Sequence, residues 1–226
     1  MIKKICLFCV CFCQTFAAGW TIVGDTFTGE KGTCEFDIWL NTSEQSQNLG
    51  FYGDCVILKY TSIQVANNAS TQSFENKGFI EIEQGFYTTP DNFFNIGIIG
   101  GNIINTDISH RNNNFYSYIP LSFNWFDAKM RTTLNIGWAY HTSTQQHLLT
   151  LSGSISGNIT DKIWLVSEIS TSNNPHILLN SSFYQVGASF LIHKDNISLD
   201  IAYLNSFKPQ DIGTIILGIT FNAKMF

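Results

Sequence analysis

The chain carries little charge and almost no arginine. Asp, Glu, Lys and Arg make up 13% of its 226 residues, and Arg111 and Arg131 are its arginines. Binding nucleic acid requires clustered Lys and Arg to neutralise phosphates, so a chain of net charge −5 is a poor candidate for that partner. Long apolar runs are missing too. No stretch holds ~18 consecutive apolar residues, which excludes a spanning helix. Yet 44% of the residues are hydrophobic and mean hydropathy is slightly positive, +0.05. Low charge and high apolar content, without a helix-length block, suit a β-barrel with one face to lipid and one to a polar interior. A large soluble β-sandwich is the alternative.

Four of the six cysteines, Cys6, Cys9, Cys11 and Cys13, sit in or just after a short apolar run at the start of the chain. Lys3 and Lys4 precede that run, and Thr15 and Ala17 are the small residues a cleavage site needs. Residues 1–17 therefore read as a cleaved secretory signal peptide, and residues 18–226 as one barrel domain. Cleavage removes two of the 12 basic residues and no acid, moving the net charge from −5 to −7. Cys34 and Cys55 remain. An oxidising compartment favours their pairing, whereas parity places Cys34 with Phe36 and Ile38 and Cys55 on the opposite, weaker face. The sequence leaves the disulfide open.

Period-two alternation recurs along the chain. The clearest case is 131–142, where Leu134, Ile136, Trp138 and Tyr140 alternate with Thr133, Asn135, Gly137 and Ala139. The closing run puts Ile215, Leu217, Ile219, Phe221, Ala223 and Met225 on one face. Further runs are predicted over 33–40, 54–65, 78–88, 93–104, 116–126, 147–157, 163–172, 184–193 and 197–204, with a weaker first strand at 20–28. Runs of about ten residues match a tilted strand crossing a bilayer. The prediction is an all-β, antiparallel, up-and-down transmembrane β-barrel of about 12 strands, with ten next, since bacterial single-chain barrels use even numbers. Connections are predicted at 41–50 and 66–77, both polar, and short turns at 90–92, 127–129 and 161–162. Short turns alternate with longer loops from residue 66 onward, as in outer-membrane barrels.

A chain closing on such a strand and on Phe226 resembles bacterial outer-membrane β-barrels. There the last strand and its terminal aromatic are read by the barrel assembly machinery, although strict alternation puts Phe226 off the apolar face. The second half is also similar to a family of outer-membrane putative transporters, the "MetA-pathway of phenol degradation" family. The likeness lies in Gly157-Asn158-Ile159-Thr160-Asp161-Lys162-Ile163-Trp164 running on to Glu168, in Tyr184–Gly187, in Asn196–Tyr203, in Phe207-Lys208-Pro209-Gln210-Asp211 and in Gly218–Phe221. It implies localisation in the bacterial outer membrane, contact with outer-membrane lipid and a pore or transport role for a small solute, with no particular ligand.

Glu35, Asp37, Lys59, Glu81, Glu83, Arg131, Glu168 and Asp200 fall on or near the faces opposite the apolar ones. In a barrel they point inward. Rings of carboxylates bias a pore toward cations or polar solutes. The same charges can instead pair and fill a closed interior, because a barrel of this size can be plugged by its own side chains. Three functions follow: a small pore or solute transporter, a closed barrel that acts through its loops, and a lipid-acting hydrolase. The last rests on His141-Thr142-Ser143, which resembles the catalytic pair of outer-membrane lipid A deacylases. A nucleophilic Ser needs a base and a group orienting that base. Thr144 stands where that family has Asn, and no orienting acid is evident. An ordinary loop-edge histidine explains the motif better, and no enzyme is predicted. His110, His147, His176 and His193 show no metal-ligand spacing, and no metal or cofactor is predicted.

Overall fold

The computed structural model describes residues 30–44, 46–70, 76–105, 113–142, 144–171, 182–193, 196–208 and 213–225. The strands are β1 (Thr33–Thr42), β2 (Gln47–Leu58), β3 (Thr61–Ser70), β4 (Asn76–Thr88), β5 (Phe94–Asn105) and β6 (Asn113–Trp125). They continue as β7 (Met130–His141), β8 (Gln146–Thr160), β9 (Ile163–Ser170), β10 (Phe183–His193), β11 (Ile197–Ser206) and β12 (Thr214–Lys224). Each pairs antiparallel with its sequence neighbours, and β1 pairs with β12 to close a twelve-stranded barrel. The seam runs from Thr33↔Lys224 to Thr42↔Ile215, so β1 and β12 leave no open edge. Among the described residues no helix is long and apolar enough to cross a membrane.

The count matches the expectation, but one strand comes from a different place. The doubtful first strand at 20–28 lies outside the described residues, as do the signal-peptide segment, Phe226 and Ser143. The additional strand arises because the expected run at 54–65 is two strands. They fold back at residues 59–60, where Tyr60 takes a left-handed φ of 69°. The expected loop at 41–50 shrinks accordingly. β1 runs to Thr42 and β2 starts at Gln47, and the turn between them is closed by Ser43 N–H to Ser46 O (2.9 Å) and Ser46 N–H to Ser43 Oγ (3.1 Å). Much of the expected loop at 66–77 is likewise strand, in β3 and β4.

This resets the facing of β2. Tyr52 and Val56 are buried inside the barrel, so Phe51, Gly53 and Cys55 face outward. Cys34 pairs directly with Cys55 in the ladder, and directly opposed residues share a face. The two form a disulfide on the outer surface, with Cα atoms 4.2 Å apart, which corrects the parity argument against pairing.

Outside, the wall is apolar. Ile38, Leu49, Ile82, Leu134, Ile155, Ile169 and Leu217 are exposed, an arrangement that only lipid makes favourable at this density. Aromatic clusters mark both rims of this belt. At the end bearing turns 59–60, 126–129 and 161–162, Phe93 packs edge-on against Trp125 (5.0 Å) and Phe94 against Phe123 (5.1 Å). At the opposite end Tyr140 meets His147 (4.8 Å), Trp138 Nε1 donates to His147 Nδ1 (3.1 Å), and Tyr184 meets Phe207 (5.3 Å). Amphipathic rings at two levels are how barrels sit at the two membrane–water interfaces.

Candidate functional site: the barrel lumen

Alternation sends every second residue inward, so the lumen is built from all twelve strands. Glu35 and Asp37 of β1, Glu81 and Glu83 of β4, Glu168 of β9 and Asp200 of β11 all lie on this inner face, between 1% and 5% exposed. Arg131 is half-buried at the short-turn end of β7, where its Nε donates to Asn124 Oδ1 at 2.8 Å. Lys59 departs from expectation. It occupies the 59–60 turn, is exposed, and its Nζ lies 4.8 Å over the Tyr60 ring. The hidden turn is the physical reason, because it ends β2 one residue before Lys59.

The structure gathers some of these residues and separates others. Tyr52 stands among the carboxylates of Glu35, Asp37, Asp54 and Glu81. Glu81 accepts a hydrogen bond from the Tyr116 hydroxyl (2.5 Å), and Glu83 accepts from Gln64 Nε2 (3.3 Å) and Ser62 Oγ (3.5 Å). These groups form one acidic wall over β1–β4. Asp200 sits apart on β11, accepting from Thr220 (2.8 Å) and Ser198 (3.3 Å). Glu168 lies farther round, its register partners being Ser154 and Gln185. Sequence reasoning missed Asp54, Tyr52 and Gln64. Asp54 was legible through its spacing from Tyr52, once β2 is phased correctly.

The aromatic side chains of the lumen lie along its wall. Trp39 pairs with Gly50 and covers it so closely that a methyl there would collide with the indole. Tyr116 pairs with Gly101, where a Cβ would come within 2.6 Å of its ring. Glycine opposite an aromatic lets the ring lie flat on the neighbouring strand. With these rings, Phe79, Ile99, Ile103 and Tyr118 give the interior an apolar layer among its polar side chains. His141 ends β7 on the lumenal side, half-buried, while His147 faces outward into the rim cluster.

A closed, lipid-belted, twelve-stranded barrel with a polar lumen is the architecture of outer-membrane porins, and solved structures bear this out. The chain is similar to the KdgM porin in complex with disordered oligogalacturonate, at 13% identity and TM-score 0.67, covering 83% of this chain and 98% of that one. It is similar to the NanC porin at 9% identity and TM-score 0.60, covering 83% and 98%. The outer membrane protein Omp33 of Acinetobacter baumannii matches at 8% identity and TM-score 0.59, covering 86% and 100%. At these identities the likeness is one of fold: a closed, antiparallel transmembrane β-barrel of the kind these outer-membrane proteins have. More particularly, residues 9–223 match the family described as "Uncharacterised conserved protein UCP029691", and the chain belongs to that family. No curated protein matches it.

Proposed function

We propose that the protein is a small pore through which hydrophilic solutes cross the bacterial outer membrane. The observation that carries this reading is the lumen's lining. Acidic, amide and hydroxyl side chains line it from rim to rim, and Trp39 and Tyr116 lie flat against glycines of the wall. A barrel with no solute to carry is filled more cheaply with apolar side chains, since each buried polar group needs a partner. The similarity in fold to the KdgM and NanC porins supports the same role. So does the resemblance of the second half to the MetA-pathway family of putative transporters. On this reading the inner side chains Glu35, Asp37, Glu81, Glu83, Arg131, Glu168 and Asp200 are the groups a solute meets. Residues 1–17 direct export and are removed, and β12 is the strand that the assembly machinery engages. The protein acts as a channel rather than as an enzyme.

Purified mature protein in planar lipid bilayers provides the test. Discrete current steps are expected. A protein that shifts in apparent mass between unboiled and boiled SDS samples, yet passes no current, is a folded closed barrel. That outcome favours the second reading, a barrel acting through its loops, which the burial of the lumenal carboxylates to a few per cent also fits.

A further inference from the structure

This inference rests on the pore reading and names the class of solute. One side of the described lumen is lined by carboxylates. Glu35, Asp37, Asp54, Glu81 and Glu83 line β1–β4, and carboxylates only accept hydrogen bonds. Arg131, the guanidinium of the described lumen, stands across the barrel on β7 and is engaged with Asn124.

A neutral residue beside the acidic wall presents a further acceptor. Asn95 on β5 is 3% exposed on the lumenal face, and its amide oxygen has no hydrogen-bond partner. Going along that face from Asn95 toward Glu83, the next lumenal positions are Gly97 and Gly85, which pair directly. An acceptor and a carboxylate therefore flank a patch of wall that has no side chains. A buried acceptor left without a donor is unfavourable, and a solute that brings N–H or O–H groups relieves it. An ammonium offers three donors and a positive charge. The faces of Tyr52, among the carboxylates, and of Tyr116, hydrogen-bonded to Glu81, add a surface that attracts cations. Across the barrel, Thr150, Ser154, Ser156 and Ser170 present hydroxyls suited to a hydroxylated body.

We propose that this lumen is selective for hydroxylated organic cations, with amino sugars as the fitting chemistry, and that it disfavours acidic sugars. The KdgM relative was solved with oligogalacturonate, an acidic sugar chain, so the two barrels would share a fold and differ in the sign of what they pass.

The experiment is swelling of proteoliposomes near neutral pH in glucosamine, glucose and galacturonate, which share ring size and differ in charge. Glucosamine is expected to enter fastest and galacturonate slowest, with a spread of about threefold or more, because a charged bore concentrates opposite charge. Neutralising the wall with Asp37→Asn, Glu81→Gln and Glu83→Gln should bring the three rates together. Asn95→Leu should slow glucosamine more than glucose. The SDS heat shift confirms that each variant is folded. Should one variant fail to fold, the wild-type order alone decides. Equal rates, or galacturonate entering faster than glucosamine, overturn the solute class and leave the pore intact. No swelling with any sugar, together with no bilayer current, overturns the pore and this inference with it.

Discussion

The two halves of the lumen wall are built differently. Over β1–β4 the inner face carries large and charged side chains: Glu35, Asp37, Trp39, Tyr52, Gln64, Phe79, Glu81 and Glu83. Over β7 and β8, between Arg131 and His141 at the two ends of β7, it carries small neutral ones, among them Thr133, Asn135, Ala139, Thr150 and Ser156. The outer faces of both halves are alike, a belt of Ile and Leu, because lipid asks the same of every strand. The difference lies wholly in the lumen, where a pore's selectivity is set. The acidic half is also the cross-linked half. Cys34–Cys55 ties β1 to β2 next to the β1–β12 seam, whereas β7 and β8 are joined by their ladder and the non-covalent contacts of His147 with Trp138 and Tyr140. A covalent tie there limits the freedom of the unfolded chain around the strand that closes the barrel.

Removing that tie should weaken the contrast most. The bridge spans a sequence separation of 21, for which the chain-entropy account gives about 3 kcal/mol of stability. The double substitution Cys34→Ala and Cys55→Ala is expected to lower the temperature at which the unboiled SDS band converts to the unfolded one. Reduction of the wild type should do the same. No change under either treatment would mean that the acidic half needs no staple. A second variant tests the flat ring. Gly50→Leu should force the Trp39 indole off the wall, costing ~1–3 kcal/mol for overpacking and reducing single-channel conductance. Unchanged conductance would show that Trp39 does not border the conducting path. A third contrasts the two walls directly. Asp37→Asn with Glu81→Gln should reduce the preference for K+ over Cl−, by about threefold to tenfold in the permeability ratio. Thr150→Ala with Ser156→Ala should leave that ratio unaltered. Reversal potentials in a salt gradient read both, and equal effects would erase the distinction between the walls.

The small-residue half was the legible one. In β7 the alternation of Leu134, Ile136, Trp138 and Tyr140 with Thr133, Asn135 and Ala139 gives both the strand and its facing, and the structure keeps it. The acidic half was harder for two physical reasons. The 59–60 turn contains neither Gly nor Pro, and Tyr60 adopts a left-handed φ that its side chain does not advertise. Missing that turn shifts β2 by one position, which turns every side chain to the other face. Asp54 was lost from the lumen and Cys55 from the outer wall by that single slip. The second reason is that a lumen tolerates amides and hydroxyls. Gln64, Asn68 and Ser70 of β3 therefore dilute the alternation until the strand resembles a loop. That Tyr52 would gather four carboxylates was beyond reach, since it depends on registers set by barrel closure rather than on any one run.

The smallest predicted effect lies on the turn that opens the neutral half. Residues 126–129 join β6 to β7, and Phe126, Asp127 and Ala128 all take left-handed φ, at 54°, 56° and 63°. The turn is closed by Lys129 N–H to Phe126 O at 3.2 Å. A left-handed residue with a Cβ costs ~1–2 kcal/mol, and glycine removes that cost. Glycine also gives back ~0.5–1 kcal/mol through the freedom it adds to the unfolded chain. Ala128→Gly is therefore expected to stabilise by about 0.5–1 kcal/mol, seen as a small rise in the SDS unfolding temperature. Tyr60→Gly at the acidic half's turn relieves the same strain but removes the ring that lies under Lys59. A cation–π contact at an exposed site is worth ~0.5–1 kcal/mol, so the two terms nearly cancel there. A gain at Ala128 beside no gain at Tyr60 would show that the neutral half stores strain at its turn which the acidic half offsets with a contact. Equal gains at both would mean that the Lys59 contact contributes nothing, and that the two turns differ only in sequence.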